Sequence, residues 1–219
     1  MRILVILVRL RLLLSFFLLT APLPAAEPLA APGPEIVQGG NDADWQPLFT
    51  ALAGQGAVFS QLTERRWFQV RKQPVVLTGE MRLTPDHGLS LHYEDRTVIV
   101  DAQGVLLRDA RGRTRVVKPD ERTPAVNTWL LPVLRFDRPA LENAFRLHGA
   151  RAEKNWRLDF VPRAAVDANA VGGIVVHGTD ETITRIELRP KPGLRIEILV
   201  GATQTGLTFS AEDVKRFFR

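Results

Sequence analysis

Between Ala57 and Asp86 the chain reads AVFSQLTERRWFQVRKQPVVLTGEMRLTPD, and large apolar groups fall on both sides of a period-two alternation. Phe59 and Trp67 share one side, whereas Val58, Leu62 and Phe68 share the other, with Glu64, Arg65, Arg66, Arg71 and Lys72 among them. A sheet with one wet face shows a clean in–out alternation, so this pattern predicts a strand that must be covered on both faces.

The same period runs on. Leu77, Gly79, Met81 and Leu83 alternate with polar residues up to TPDHG, and Leu89, Leu91 and Tyr93 alternate with Ser90, His92 and Glu94. TVIVDAQGVLLRDARGRTRVV reads as three short strands turned at DAQG and DARG, and such tight turns join antiparallel neighbours. Later, NWRLDFVP, GGIVVHG, ETITRIELRP and GLRIEILV give further strands, with Trp156, Leu158, Phe160, Ile186, Leu188, Leu194, Ile196, Ile198 and Val200 on their apolar sides.

Helical spacing interrupts this rhythm at three places. Trp45, Leu48, Phe49 and Leu52 recur at i, i+3, i+4 and i+7, with Asp44 as the expected cap and Gly54 as the stop. In the middle, Thr123–Pro124 opens a helix carrying Val126, Trp129, Leu130 and Val133, and Pro132 is expected to kink or end it. Leu131 and Leu134 make that helix apolar nearly all round, which requires cover on more than one side. Asp137 with Pro139 starts a second short helix expected to end near Gly149, and Ser210 with Asp213 has capping-box spacing for a last turn. The prediction is an α+β, mainly β fold: a half-open antiparallel barrel of about 9–11 strands covered by two or three short helices.

The first 26 residues stand apart. Arg2, Arg9 and Arg11 precede an apolar run from Leu12 to Leu19, followed by Pro22, Pro24 and small residues at Ala25 and Ala26, the layout of a cleavable secretory signal peptide. Residues 27–43, rich in Pro, Ala and Gly without periodicity, are expected to be a flexible lead-in to a domain spanning 44–219. Cleavage would remove three arginines and no acids, lowering the net charge from +5 to +2, which takes away the compositional case for nucleic-acid binding. The chain has no cysteine, so there is no disulfide framework and no cysteine to carry a lipid anchor; the periplasm of a two-membraned bacterium is the expected compartment.

Catalytic motifs of the common hydrolases are missing: there is no G-x-S-x-G, no S-x-x-K with its partners and no H-E-x-x-H. The four histidines, His87, His92, His148 and His177, stand singly in different segments, so neither a catalytic residue nor a metal ligand is assigned, and no cofactor is expected. The densest basic stretch is RDARGRTRVVK, which puts Arg111 and Arg113 at a hairpin tip and Arg113 with Arg115 on a single face. It reads either as a solvated hairpin or as a patch for an acidic partner or an anionic lipid surface. A curved sheet closed by the helices encloses either a dry core or a greasy cavity, and the pattern admits both.

The order of elements resembles the periplasmic outer-membrane lipoprotein carrier (LolA) family. The likeness runs through LFTALAGQGAVFSQLTERR, LTGEMRLTPDHGLSLHY, VIVDAQGVLL and ALENAFRLHGARAEKNWRLDFVPR, and covers roughly residues 45–200. The resemblance implies a non-catalytic, monomeric carrier that holds acyl chains of a lipoprotein or related lipid and moves them from an inner-membrane transporter to an outer-membrane receptor. It also implies lipid-binding positions: Phe59, Leu77, Met81, Leu83, Leu91, Tyr93, Leu158 and Ile186 on the sheet, and Trp129, Leu130, Val133 and Leu134 on the lid. One departure is that Thr84, where the family carries a lid-latching Arg, precedes Pro85. Related half-barrels in periplasmic stress sensing bind a regulatory protein, which is the alternative function, with Arg111, Arg113 and Arg115 as its partner-binding surface.

Overall fold

The structure, a computed structural model, describes residues 31–118, 127–163, 172–191 and 193–219. Eleven strands form one antiparallel sheet: β1 (Ala57–Phe68), β2 (Val75–Thr84), β3 (Gly88–Tyr93), β4 (Arg96–Asp101), β5 (Gly104–Asp109), β6 (Thr114–Val117), β7 (Phe145–Ala152), β8 (Asn155–Pro162), β9 (Ile174–Thr179), β10 (Thr182–Lys191) and β11 (Leu194–Leu207). The spatial order is β6-β5-β4-β3-β2-β1-β11-β10-β9-β8-β7. The sheet is open, because β6 and β7 form its two edges and are not paired to each other. This is the mainly β, half-open architecture that the alternation predicts.

The strand order also explains the cover. β6 and β7 follow each other in sequence yet lie at opposite edges, so the chain between them must travel across the sheet. It does so through α2 (Asn127–Arg135) and α3 (Arg138–Ala144). Leu130, Leu131, Val133 and Leu134 of α2 are all buried in the same cluster as Met81, Leu89, Tyr93, Ile186 and Ile198 of the sheet. The all-round apolar character of α2 therefore has a mechanical reason: it lies inside the bend of the sheet. α1 (Gln46–Ala53) closes another part of that face with Leu48, Phe49 and Leu52, and Trp45 is buried beside them.

Several local expectations change. Asp44 is not the cap of α1; it belongs to a 3₁₀ turn, Asp42–Asp44, the cap position falls on Trp45, and no side chain caps the helix. Pro132 lies inside α2 and does not end it, while the Thr123–Pro124 start lies outside the described residues. α3 begins as expected, with the Asp137 carboxylate accepting from the Ala140 N–H at 3.2 Å. It stops at Ala144, however, and Phe145 to Ala152 are strand β7, paired along its length with β8. Gly149, read from sequence as a helix end, sits within that strand because Trp45 lies where a side chain would go: a Cβ at this position would be 2.2 Å from the indole. Within the segment expected as a lead-in, Glu35 bridges His148 at the β7 edge, the Ile36 N–H donates to the Leu147 carbonyl at 2.7 Å, and Ile36 is buried.

The last helix, α4 (Ala211–Phe217), has the predicted capping box between Ser210 and Asp213. It packs on the outer face of the sheet. Phe217 meets His92 at 5.4 Å and Phe218 meets His87 at 5.7 Å between ring centroids. Arg108 donates to the carbonyls of Arg216 and Phe218, and Arg219 pairs with Asp101 at 2.9 Å.

Candidate functional site

Register settles what the two faces of β1 do. Val58, Ser60, Leu62, Glu64 and Arg66 point to the concave side, while Phe59, Arg65 and Trp67 point outward. Outward, Phe59 lies under the Arg82 guanidinium at 4.9 Å, which in turn lies over Phe217 of α4 at 3.6 Å. Trp67 is covered by Arg195 at 4.9 Å. The outer face between them is a lattice of ion pairs, with Arg65 to Glu197 at 3.3 Å and Arg185 to Glu187 at 3.1 Å. The apolar groups on both faces are thus explained: cation-covered aromatics outside, and a core inside.

Inside, side chains fill most of the bend, but two hollows remain between the sheet and α2. One, of about 230 Å³, is lined by Leu89, Leu91, Val98, Val100, Val105, Val117, Leu130, Leu188, Ile196 and Ile198 with Glu64, Arg66 and Tyr93. The other, of about 540 Å³, is lined by Leu52, Val58, Leu83, Phe136, Ile183 and Val200 together with polar groups such as Gln55, Arg135, Glu181 and Thr205. Met81, Leu134 and Ile186 line both, so these three side chains form the partition between them.

The smaller hollow carries a polar group in an aliphatic wall. Glu64 is only 3% exposed; its carboxylate accepts from the Tyr93 hydroxyl and from Arg66 Nε at 2.5 Å. The three residues satisfy each other's charge and hydrogen-bonding capacity, as a buried ion pair must. Burial raises the Tyr93 pKa strongly, and the neighbouring Glu64 charge raises it further, so the phenol stays neutral. Burial alone would lower the Arg66 pKa, but the hydrogen bond and charge of Glu64 outweigh it and the net shift is upward. Arg66 keeps 31% of its side chain exposed, so it stands at the edge of the hollow, between the Glu64 carboxylate and solvent.

Of the residues predicted to line a lipid cavity, Met81, Leu83, Leu91, Tyr93, Leu130, Leu134 and Ile186 border one or both hollows. Val133 and Leu158 are fully packed core residues, and Leu77 and Trp129 are partly buried against that core. Phe59 lies on the opposite face of the sheet. Arg111, Arg113 and Arg115 of the predicted basic surface are all exposed, but Arg113 forms a 2.7 Å ion pair with Asp109, whose other oxygen accepts from the Arg111 and Arg113 N–H groups. That carboxylate builds the turn, so Arg113 is part of the hairpin's own structure. Sequence reasoning missed Glu64 and Arg66, although both keep the parity of Leu62, which marks them as inward.

Thr84 does not leave the lid without a polar tie. Arg135, the last residue of α2, donates from Nη to the Thr84 carbonyl at 3.5 Å, so the cation comes from the helix and the carbonyl from the sheet. Among the described residues no group of three His, Cys, Asp or Glu side chains could hold a metal ion, and no helix is long and apolar enough to cross a membrane.

A family model described as outer membrane lipoprotein carrier protein LolA-like matches residues 37–217. Among solved structures, the chain is similar to a DUF1329 family protein from Desulfovibrio piger, at 9% identity over 80% of this chain and 95% of that one, with a TM-score of 0.46. It is similar to a LolA superfamily protein from Nitrosomonas europaea, at 5% identity over 77% and 96% of the two chains, with a TM-score of 0.41. It is also similar to MucB, at 18% identity over 78% and 61%, with a TM-score of 0.38. No curated protein sequence matches the chain.

Proposed function

The chain belongs to the LolA-like outer membrane lipoprotein carrier family, and from that premise we propose that it is a non-catalytic periplasmic carrier of acyl chains. Its cargo is a lipoprotein or a related acylated lipid, taken from an inner-membrane donor and given to an outer-membrane acceptor. The observation that supports this reading is the 230 Å³ hollow whose wall is almost wholly aliphatic. An apolar cavity of roughly 150 Å³ is enough to hold benzene, so this one takes a short length of chain. A full fatty tail needs the neighbouring 540 Å³ as well, and the tail reaches it when Met81, Leu134 and Ile186 move apart.

The driving force is burial of methylenes, each contributing about 0.8 kcal/mol. Because the wall of the smaller hollow offers few polar contacts, affinity there follows the length of chain enclosed. Leu130 and Leu134 of α2 and Met81, Leu91 and Ile186 of the sheet make the binding surface, and α2 is the element that yields. The alternative, a sensor module with the Arg111–Arg115 hairpin as its partner-binding surface, is weakened by the pairing of Arg113 with Asp109.

The test is binding of a fluorescent fatty acid by the purified protein, together with native mass spectrometry of protein taken from periplasm. Uptake that rises with chain length and falls more than tenfold in Leu130→Asp, but not in Arg111→Glu/Arg115→Glu, is the expected result. Protein that is always empty and binds no fatty acid of any length rules the carrier out.

A further inference from the structure

Antiparallel order puts the β1–β2, β3–β4, β5–β6 and β10–β11 turns at one end of the sheet and the β2–β3, β4–β5, β7–β8 and β9–β10 turns at the other. The two ends differ in charge. The second end carries Asp86, Glu153, Asp180 and Glu181 at its turns, against Lys154, which pairs with Asp180 at 4.0 Å, and at the β4–β5 turn Asp101 is paired with Arg219. At the first end, the β1–β2 and β10–β11 tips lie side by side, joined by the Gln69 N–H donating to the Gly193 carbonyl at 2.9 Å. From Phe68 to Val76 and from Arg189 to Arg195 there is no acidic residue. Arg71 and Lys72 are exposed there, and Arg195 and Arg189 stand just behind. The Arg189 pKa is lowered, by burial first and then by the positive charge of Arg195, as expected where cations gather. Glu94 and Asp95 share this end at the β3–β4 turn, and Asp95 is paired with Arg96 at 2.9 Å.

This basic tip also carries the most exposed large apolar residue of the described chain, Val70, with a second exposed valine, Val76, beside it. Val70 is 93% exposed and Val76 54% exposed, with Trp67 and Phe68 at the base of the turn and the Arg71 guanidinium 5.9 Å from the Phe68 ring. A bare valine flanked by exposed cations and backed by aromatics is costly in water but suits the boundary between headgroups and acyl chains, where the apolar groups are buried and the cations meet phosphates. The aliphatic hollow lies toward this end as well: Arg66, which borders it, is opposite Val75 and Ile196 in the register, a few residues from both tips.

We propose that the paired β1–β2 and β10–β11 tips are a docking surface for an anionic lipid bilayer, with Val70 entering the interface and Arg71 and Lys72 bound to phosphates. The docking stands independently of the carrier reading; only its use, the passage of an acyl chain between bilayer and hollow, rests on that reading. The acidic opposite end is repelled by the same surface, so the molecule meets the membrane in one orientation.

The chain has no cysteine, so Val70→Cys in the full chain takes an environment-sensitive dye at that position alone, and Glu181→Cys reports the other end. With phosphatidylglycerol vesicles the dye at position 70 shifts to the blue and brightens. It does not respond to phosphatidylcholine vesicles, it is reversed by high salt, and the dye at position 181 stays unchanged. Adding Arg71→Glu/Lys72→Glu weakens the vesicle response by roughly thirtyfold or more, from about fivefold per basic residue. Because every variant keeps the same N-terminal apolar run, its own affinity for vesicles does not distinguish the two positions. A silent dye at position 70, an equal response at 181, or equal responses to the two lipids overturns the proposal. Fatty-acid uptake measured without vesicles separates the readings: docking without uptake removes the carrier, and uptake without docking removes this surface.

Discussion

Replacing Glu64 by Leu tests whether the polar group in the hollow is held together as the geometry implies. The substitution leaves the Tyr93 hydroxyl, in a residue 3% exposed, without its acceptor, which costs about 1–3 kcal/mol. It also strands Arg66. Breaking a fully buried pair by removing one partner costs about 3–5 kcal/mol, but Arg66 is 31% exposed and can turn its charge to water, so its share falls below that range. A total of about 3 kcal/mol is expected for Glu64→Leu. If the group is a self-satisfied island, removing all of it behaves differently: Glu64→Leu/Arg66→Leu/Tyr93→Phe should lie within about 1 kcal/mol of the wild type, or above it, because a buried ion pair is often no better than aliphatic packing. Urea unfolding followed by tryptophan fluorescence gives both numbers, with an unchanged slope confirming that the same surface unfolds. A single variant costing less than about 1 kcal/mol, or a triple variant less stable than the single one, would refute the argument.

Two further outcomes follow from particular contacts. Tyr93 is the only tyrosine, so its ionisation can be read directly from phenolate absorbance; its folded pKa is raised by burial and then by Glu64, so the stabilisation is fully present below the unfolded value of about 10 and is lost as pH climbs above it. Folded protein should therefore show no half-ionised phenol at about pH 10, Tyr93→Phe should flatten the alkaline fall in stability, and an ordinary titration in the folded state would contradict the placement. Gly149→Ala puts a Cβ 2.2 Å from the Trp45 indole and should cost about 1–3 kcal/mol by overpacking, seen as a lower melting temperature that Trp45→Leu partly restores; a melting temperature equal to the wild type would mean the indole is not seated on that glycine.

Most strands were legible because period-two alternation survives wherever one face meets the core, and the tight turns at DAQG and DARG fixed antiparallel pairing. β7 was not, since Leu141, Phe145 and His148 also satisfy helical spacing and Gly149 imitates a helix stop; pairing with β8, which lies later in the chain, decides the matter. Phe59 shows the limit of parity. Val58 and Phe59 are both large and apolar, and only the register of β1 against β2, with Ser60 opposite Met81 and Phe59 opposite Arg82, reveals which one faces inward. Glu64 and Arg66 were hidden for a different reason. Charged residues on a strand are read as solvated, and a pair that neutralises itself beside a tyrosine from β3 is visible only once β1, β2 and β3 are in register.

The lid is a consequence of strand order. Since β6 and β7 occupy opposite edges, the intervening chain has to cross the concave face, and whatever crosses there is held by the sheet on one side while its ends are fixed at the two rims. A helix in that position can shift without unpairing any strand, because none of its backbone hydrogen bonds belongs to the ladder. Its ties are side chains: Leu130 and Leu134 against the sheet, and Arg135 reaching the Thr84 carbonyl at the limit of hydrogen-bond length. The same crossing places the aliphatic hollow where α2 meets β2–β5 and β10–β11, next to the basic tips and away from the acidic turns. On the proposed reading, filling and docking act at one end of the molecule, and the element that moves for a chain to enter is one whose backbone shares no hydrogen bond with the strand ladder.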